Sequence, residues 1–420
     1  MRPQILSTLP TYDRSQLAAD LLAGISVAMV ALPLSLAIAI ASGADPGKGL
    51  ITAIVGGLLI SLLGGSKVQI GGPTGAFIVV VYGVVATHGY DGLVLATLMA
   101  GAILLVAGWL RAGNLIGYVP EAVVSGFTMG IAVIIATSQI KDLLGMSVER
   151  VPADFLEKLP VLWDARSGVS VTAFGVGLVT IVLIVVFRRM APKLPGLIVA
   201  VALTSGAVAL LDLPVDTIHS RFGDLPSALP MPSLPALSLS RMVELLPSAL
   251  VIAFLAGVES LLSAMVADRM IGDRHRPNAE VIAQGAANIG SALFGGLPAT
   301  GAIARTATNV RAGGRTPVAG IVHALTVLVV MLVAAPLAGY LAMPALAGLL
   351  ILTAWNMSEP HKWRGYLDAE RSDQILIGLT LLLTVVADLT VAIAVGVAIG
   401  LALRLRRRKV PPSDWQTPDR

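Results

Sequence analysis

Two residue types stand out in this chain because they are costly where they sit. Glu259 lies in Ala-Gly-Val-Glu-Ser-Leu-Leu-Ser, well inside a long apolar run, with Ser263 one helical turn further on. A carboxylate at that depth must be protonated, paired or turned to water. It can therefore serve as a proton or cation acceptor coupled to substrate movement, or as a structural carboxyl satisfied by neighbours. Arg305 lies in an equally unusual stretch from Gly295 to Arg315, Gly-Gly-Leu-Pro-Ala-Thr-Gly-Ala-Ile-Ala-Arg onward, between apolar segments. Irregular backbone at membrane depth is tolerated only where protein buries it or where it lines a water-filled cavity. After Pro298 the pattern turns helical, which predicts a half-helix over 300–310. Its unpaired N–H groups would carry partial positive charge into the cavity. With a guanidinium just over one turn further, Thr300, Gly301, Ala302, Ile303 and Arg305 form a candidate anion site. Arg305 could contact the anion, neutralise Glu259, or snorkel to the surface.

The same theme occurs earlier. Gly71-Gly72-Pro73-Thr74-Gly75-Ala76-Phe77 again places two glycines and a proline before Thr-Gly-Ala. Interrupted segments at corresponding places in two halves of a chain point to the substrate site of a transporter. Thr74, Gly75, Ala76 and Phe77 therefore join the candidate site.

The elements that must position these residues follow from composition. The chain has 420 residues, 56% hydrophobic and 13% charged, with a mean hydropathy of +0.85, a balance foreign to soluble domains. With no cysteine, disulfides and thiolate metal sites are excluded; five scattered histidines do not suggest a metal centre. The pI near 9.5 reflects basic residues in short loops between spans, not a nucleic-acid surface. The signatures of nucleotide loops, zinc proteases and serine hydrolases are missing, so neither enzyme chemistry nor a cofactor is expected.

The apolar pattern predicts an all-α integral membrane protein of fourteen transmembrane segments. The first seven cover 17–41, 50–63, 74–87, 92–110, 121–139, 169–187 and 195–211. The others cover 246–265, 278–294, 300–310, 317–337, 341–354, 373–387 and 389–403. Short extended strands lead into segments 3 and 10. Residues 141–166 read as a solvated amphipathic loop, and Asp388 as a turn. A proline-rich connector, 213–240, separates repeats of about 15–212 and 241–408. Lys and Arg favour one face by roughly three to one, marked by Arg188, Arg189, Lys193, Arg269, Arg274, Arg276 and Arg404–Lys409. That places both termini in the cytoplasm and inverts the two seven-segment halves. Gln284 and Asn288 read as glue between helices, and His323 as a packing residue.

Three stretches carry a resemblance: Gln69–Phe77, Gly301–Arg311 and Asn356–Lys362. They resemble the sulfate permease (SulP) family, equivalent to the animal solute carrier 26 proteins, over nearly all of 15–405. The resemblance implies a core of segments 1–4 and 8–11 and a gate of the others, with substrate bound between segments 1, 3, 8 and 10. Carried over by position, segment 3 offers Thr74 to Phe77, segment 8 Glu259 and Ser263, and segment 10 Thr300 to Arg305. Cyanobacterial bicarbonate members carry Asp where Glu259 stands and a hydroxyl near Ile303, as part of a sodium site; Glu and Ile here favour the proton. Many members continue into a STAS domain. Here the reading is one transmembrane domain over 1–410 and a short cytoplasmic tail, 411–420. The resulting expectation is a multi-pass plasma-membrane symporter that moves a small anion with a proton. Sulfate is the default, bicarbonate or C4-dicarboxylate with sodium or proton the alternatives, and a channel or exchanger the rival. The bilayer and a homodimer are its expected partners.

Overall fold

The computed structural model describes residues 2–114, 120–148, 151–191, 195–387, 391, 392, 394–396 and 398–400. Helix α1 spans Arg14–Ala41, opened by a capping box in which the Asp13 side chain accepts from the Gln16 N–H. Helix α2, Pro46–Leu63, contains a π turn at Thr52–Gly56. The long helix Phe77–Trp109 breaks at Gly89, whose φ of 71° only glycine adopts freely, into α3 (77–88) and α4 (90–109). Then follow α5 (Glu121–Ser138), α6 (Val171–Met190), α7 (Gly196–Leu210) and α8 (Leu239–Ile271). The chain continues with α9 (Pro277–Leu293), α10 (Ile303–Arg311), α11 (Pro317–Gly339), α12 (Met343–Met357) and α13 (Arg371–Val386).

Each expected segment up to the thirteenth is thus helical. Among the described residues, seven helices are long and apolar enough to cross a membrane by length and composition, and Gly196–Leu210 is a shorter apolar one. Residues 389, 390, 393, 397 and 401–403 of segment 14 lie outside the described residues, as do Lys193, Asp388, Arg404–Lys409 and the tail.

Three boundaries differ from expectation. Helix α8 has 33 residues rather than the apolar stretch 246–265, about 50 Å at 1.5 Å per residue. Hydropathy marks what hydrocarbon covers, whereas a helix continues wherever its backbone bonds continue. The half-helices begin at Phe77 and Ile303, three residues later than Thr74 and Thr300. For α10 the reason is a tertiary pairing, whereas 74–76 turn back on themselves before α3: Gly71–Gly72 (β1) and Thr300–Gly301 (β2) form an antiparallel ribbon, Gly71 opposite Gly301 and Gly72 opposite Thr300. Because the strands run in opposite senses, the helices that follow leave the crossing in opposite directions.

The helices sort into two packed groups. In one, α1 lies on α11, α8 and α9 lie on the α3–α4 helix, and α10 lies between α8 and α1. In the other, α5 packs on α12 and α13, and α6 on α7 and α12. Contacts between the groups are sparser, chiefly α1 against α12 and α7.

Polar side chains hold the lead-in to β2. Asn288 accepts from the Ala299 N–H (3.0 Å) and donates to the Ala299 carbonyl (2.8 Å), so one amide replaces a missing strand partner. Thr52 accepts from the Leu297 N–H at 2.6 Å, and Ser291 donates to the Leu297 carbonyl. The expected glue role of Asn288 thus has a definite object, the backbone before β2. Asn288→Ala would leave two buried backbone groups unpaired, at about 1–3 kcal/mol each. Thermal melting in detergent should show a clear loss of stability, larger than for Asn278→Ala at the start of the same helix.

Candidate anion site

The ribbon brings the two glycine-rich segments together against α8. Thr74 Oγ1 donates to Glu259 Oε2 at 2.8 Å, and Thr300 Oγ1 donates to the Ala256 carbonyl at 2.9 Å. These two acceptors are less than one helical turn apart. Both half-helices begin after an alanine, Ala76 and Ala302, with no side-chain cap. A buried helix start without a capping side chain leaves N–H groups for water or a ligand. On α3 the Phe77 and Ile78 N–H groups turn back to Thr74 and Gly75. On α10, Ile303 and Ala304 are exposed, and Ile303 borders a crevice of about 460 Å3, counting space open to solvent. Glu259 and Thr128 are the polar residues of this otherwise apolar crevice, which runs along the Val123–Thr128 end of α5 and past Phe254 and Leu262 of α8.

Arg305 faces the other way. Two positions beyond Ile303, it points away from the crevice and is 1% exposed. Its Nη2 donates to Ser35 Oγ of α1 at 3.1 Å, while Nε and Nη1 have no hydrogen-bond partner among the described residues. Nη1 occupies the space beside Gly72, where a Cβ would stand 2.5 Å from it. Neither the ion pair with Glu259 nor snorkelling is formed: among the described residues no carboxylate lies within 4.0 Å of the guanidinium, and it is buried. His323, fully buried, also has both ring nitrogens without a hydrogen-bond partner among the described residues.

Ser263 takes a different place from the one its spacing suggested. Its hydroxyl is bonded to Thr306 Oγ1 at 3.0 Å, and Thr306 Oγ1 also accepts from the Ile70 N–H. Ser263 therefore braces α10 and the β1 lead-in rather than Glu259. Glu259 is also not the one carboxylate deep in the helices. Glu280 is fully buried and accepts from the Gly65 and Ser66 N–H groups, Ser260 and Gln284. Asp20 is equally buried and accepts from the Arg315 and Thr316 N–H groups, Thr316 Oγ1 and Tyr12. Both sit near helix ends in sequence, which hid their burial; the Glu280, Gln284, Asn288 spacing of four was the available signal. Glu259 has one hydrogen-bond partner among the described residues, Thr74, the fewest of the three.

Two uncapped half-helices, a polar ribbon at membrane depth and a carboxylate facing the crevice define a membrane transporter of the interrupted-helix class. The sulfate permease family profile matches residues 17–380, and the chain belongs to that family. It is 43% identical over 382 residues to a putative sulfate transporter, YvdB, of Bacillus subtilis, covering 90% of this chain and 72% of that one. It is 31% identical over 389 residues to the bicarbonate transporter BicA of Picosynechococcus, covering 89% and 67%. The transmembrane domain of a cyanobacterial BicA superposes with a TM-score of 0.81 at 30% identity, covering 93% of this chain and 98% of that one. Murine Slc26a9 in its inward-facing state shares the fold, with a TM-score of 0.86 at 19% identity over 97% and 72%.

The placement of Arg305 generates a test. Because Arg305 and Glu259 are not paired, their effects should add: Glu259→Gln should change anion affinity by the same factor in Arg305→Ala as in the unsubstituted protein. Arg305→Lys keeps the charge but loses the planar fork that reaches Ser35. A scintillation proximity assay on purified protein should rank affinity wild type above Lys above Ala; a larger gain from Glu259→Gln in the Arg305→Ala background than in the unsubstituted protein would show that the two groups couple electrostatically.

Proposed function

We propose that this protein is a secondary active transporter that carries a small oxyanion, sulfate by default, together with a proton across the plasma membrane. The observation that carries the reading is the Thr74–Glu259 hydrogen bond beside the meeting point of two uncapped half-helices. The helix starts supply roughly half a positive charge each, with the Arg305 charge behind them. A charged Glu259 would oppose an anion there, by about 4 kcal/mol at 4 Å for an effective dielectric near 20. Protonation removes that opposition, so proton and anion favour each other at the site. Core and gate groups sliding past one another would then expose it alternately to the two sides. Fourteen segments in inverted halves, with both termini cytoplasmic, complete the proposed topology.

Sulfate rests on the family and on relatives named as sulfate transporters. The likeness to BicA favours a second reading, sodium-coupled bicarbonate uptake, with Glu259 as a cation ligand. Proteoliposomes separate the two: labelled sulfate or bicarbonate is offered under an imposed pH gradient or sodium gradient. Sulfate accumulation driven by external acid supports proton symport, and sodium-driven bicarbonate accumulation replaces it with the second reading. Glu259→Gln, which mimics the protonated form, should abolish gradient-driven accumulation and preserve exchange of anion for anion. Unchanged stimulation by acid in that variant would return Glu259 to a structural role.

A further inference from the structure

The amphipathic segment after α5 contains a residue that a solvated loop does not explain. Asp154 caps the helix Phe155–Asp164 through the Leu156 and Glu157 N–H groups, and Leu156 and Trp163 are exposed. Lys158, on the same helix, is only 2% exposed. Its Nζ donates to Ser138 Oγ, at the C-terminal end of α5, at 2.7 Å, and lies 5.8 Å from the centroid of the Tyr82 ring in α3. Tyr82 in turn donates its hydroxyl to the Val151 carbonyl at 2.5 Å. The arm 151–164 thus bridges the two helix groups, from α3 in one to α5 in the other.

This bridge stands above the half-helix start. One turn below Ser138, Ile135 is buried, and its Cδ1 lies 3.7 Å from where a Cβ on Gly75 would stand. Lys158, Ser138 and Ile135 therefore close the approach to Gly75 at one end of α5. The crevice beside Glu259 opens at the other end, along Val123–Thr128. By the charge pattern, the closed end is external.

The closure holds a charge at a cost. Burial pushes the Lys158 amine down to a pKa of about 8, with Lys141 adding to the effect and Asp154 opposing it. The ammonium is therefore better served by water or by an anion than by this pocket. We infer that Lys158 is a charge-loaded external gate: release of its amine from Ser138 and Tyr82 opens the route to Gly75, and the freed amine pairs with the incoming oxyanion. The inference rests on the transporter reading above and adds an external anion contact to it.

The chain has no cysteine, so a single Ile135→Cys reports the route. In intact cells, a membrane-impermeant thiol reagent should label it slowly, and external sulfate should speed labelling at least threefold. Lys158→Met keeps an apolar stem over Tyr82 without the charge. It should slow labelling at least threefold and abolish the response to sulfate. Ser138→Ala removes only the acceptor and should speed labelling. Equal or faster labelling in Lys158→Met, an unchanged sulfate response there, or no acceleration in Ser138→Ala overturns the gate. Failure of the unsubstituted chain to take up labelled sulfate or bicarbonate under any gradient counts instead against the transporter reading.

Discussion

The structure depends on an antiparallel crossing of two extended segments inside a helical membrane protein. Backbone groups in hydrocarbon must be satisfied by protein, and two residues per strand cannot satisfy a whole crossing. The remaining groups are met by helices of the opposite half. The Ile70 carbonyl accepts from the Ala302 N–H, the Ile70 N–H donates to Thr306, and the Val68 carbonyl accepts from Asn309. In return, Thr52 of the first half serves Leu297 of the second. Each half completes the other's irregular backbone, so α1–α4 and α8–α11 behave as one packed group.

That arrangement explains where the polar residues are. Gln69, Ser260, Glu280 and Gln284 form a connected network around the β1 lead-in: Gln69 donates to Ser260, Ser260 to Glu280, and Gln284 to both Ser260 and Glu280. A carboxylate with four donors is held by the structure. Glu259, with Thr74 alone, is held loosely beside open space. The contrast separates a carboxylate that maintains the crossing, Glu280, from Glu259, whose single partner is Thr74 among the described residues. Helix α10 makes a matching separation among its own residues. Ile303 faces the crevice, Thr306 faces α8 and β1, and Arg305 faces α1. The guanidinium lies behind the helix start rather than within the crevice.

Division into two helix groups gives this site its access. The site belongs to one group, while the crevice wall and the closing residues of α5 belong to the other. The hydrogen bonds that hold the crossing lie within one group. The short bridge from Tyr82 and Val151 through Lys158 to Ser138 is one of the contacts that join the two groups.

Most of the fold was legible because hydrocarbon imposes a simple rule: apolar runs of about twenty residues span, and glycine–proline breaks within them mark backbone that needs special partners. That rule located the helices and the two interrupted segments, with Thr74 and Thr300 close together; the family resemblance added Glu259 beside them. The family motifs added the grouping of segments into core and gate. Tertiary structure decided what spacing along one helix does not encode. It set the start of α10, since Thr300 and Gly301 are taken by strand pairing with Gly71 and Gly72. It gave Ser263 to Thr306, turned Arg305 away from Glu259, and saturated Glu280 and Asp20 with donors from remote segments. It also buried Lys158 on a helix whose sequence reads as solvated. In each case the partner lies far along the chain, and a side chain's surroundings are set by what packs against its helix, not by its position within it.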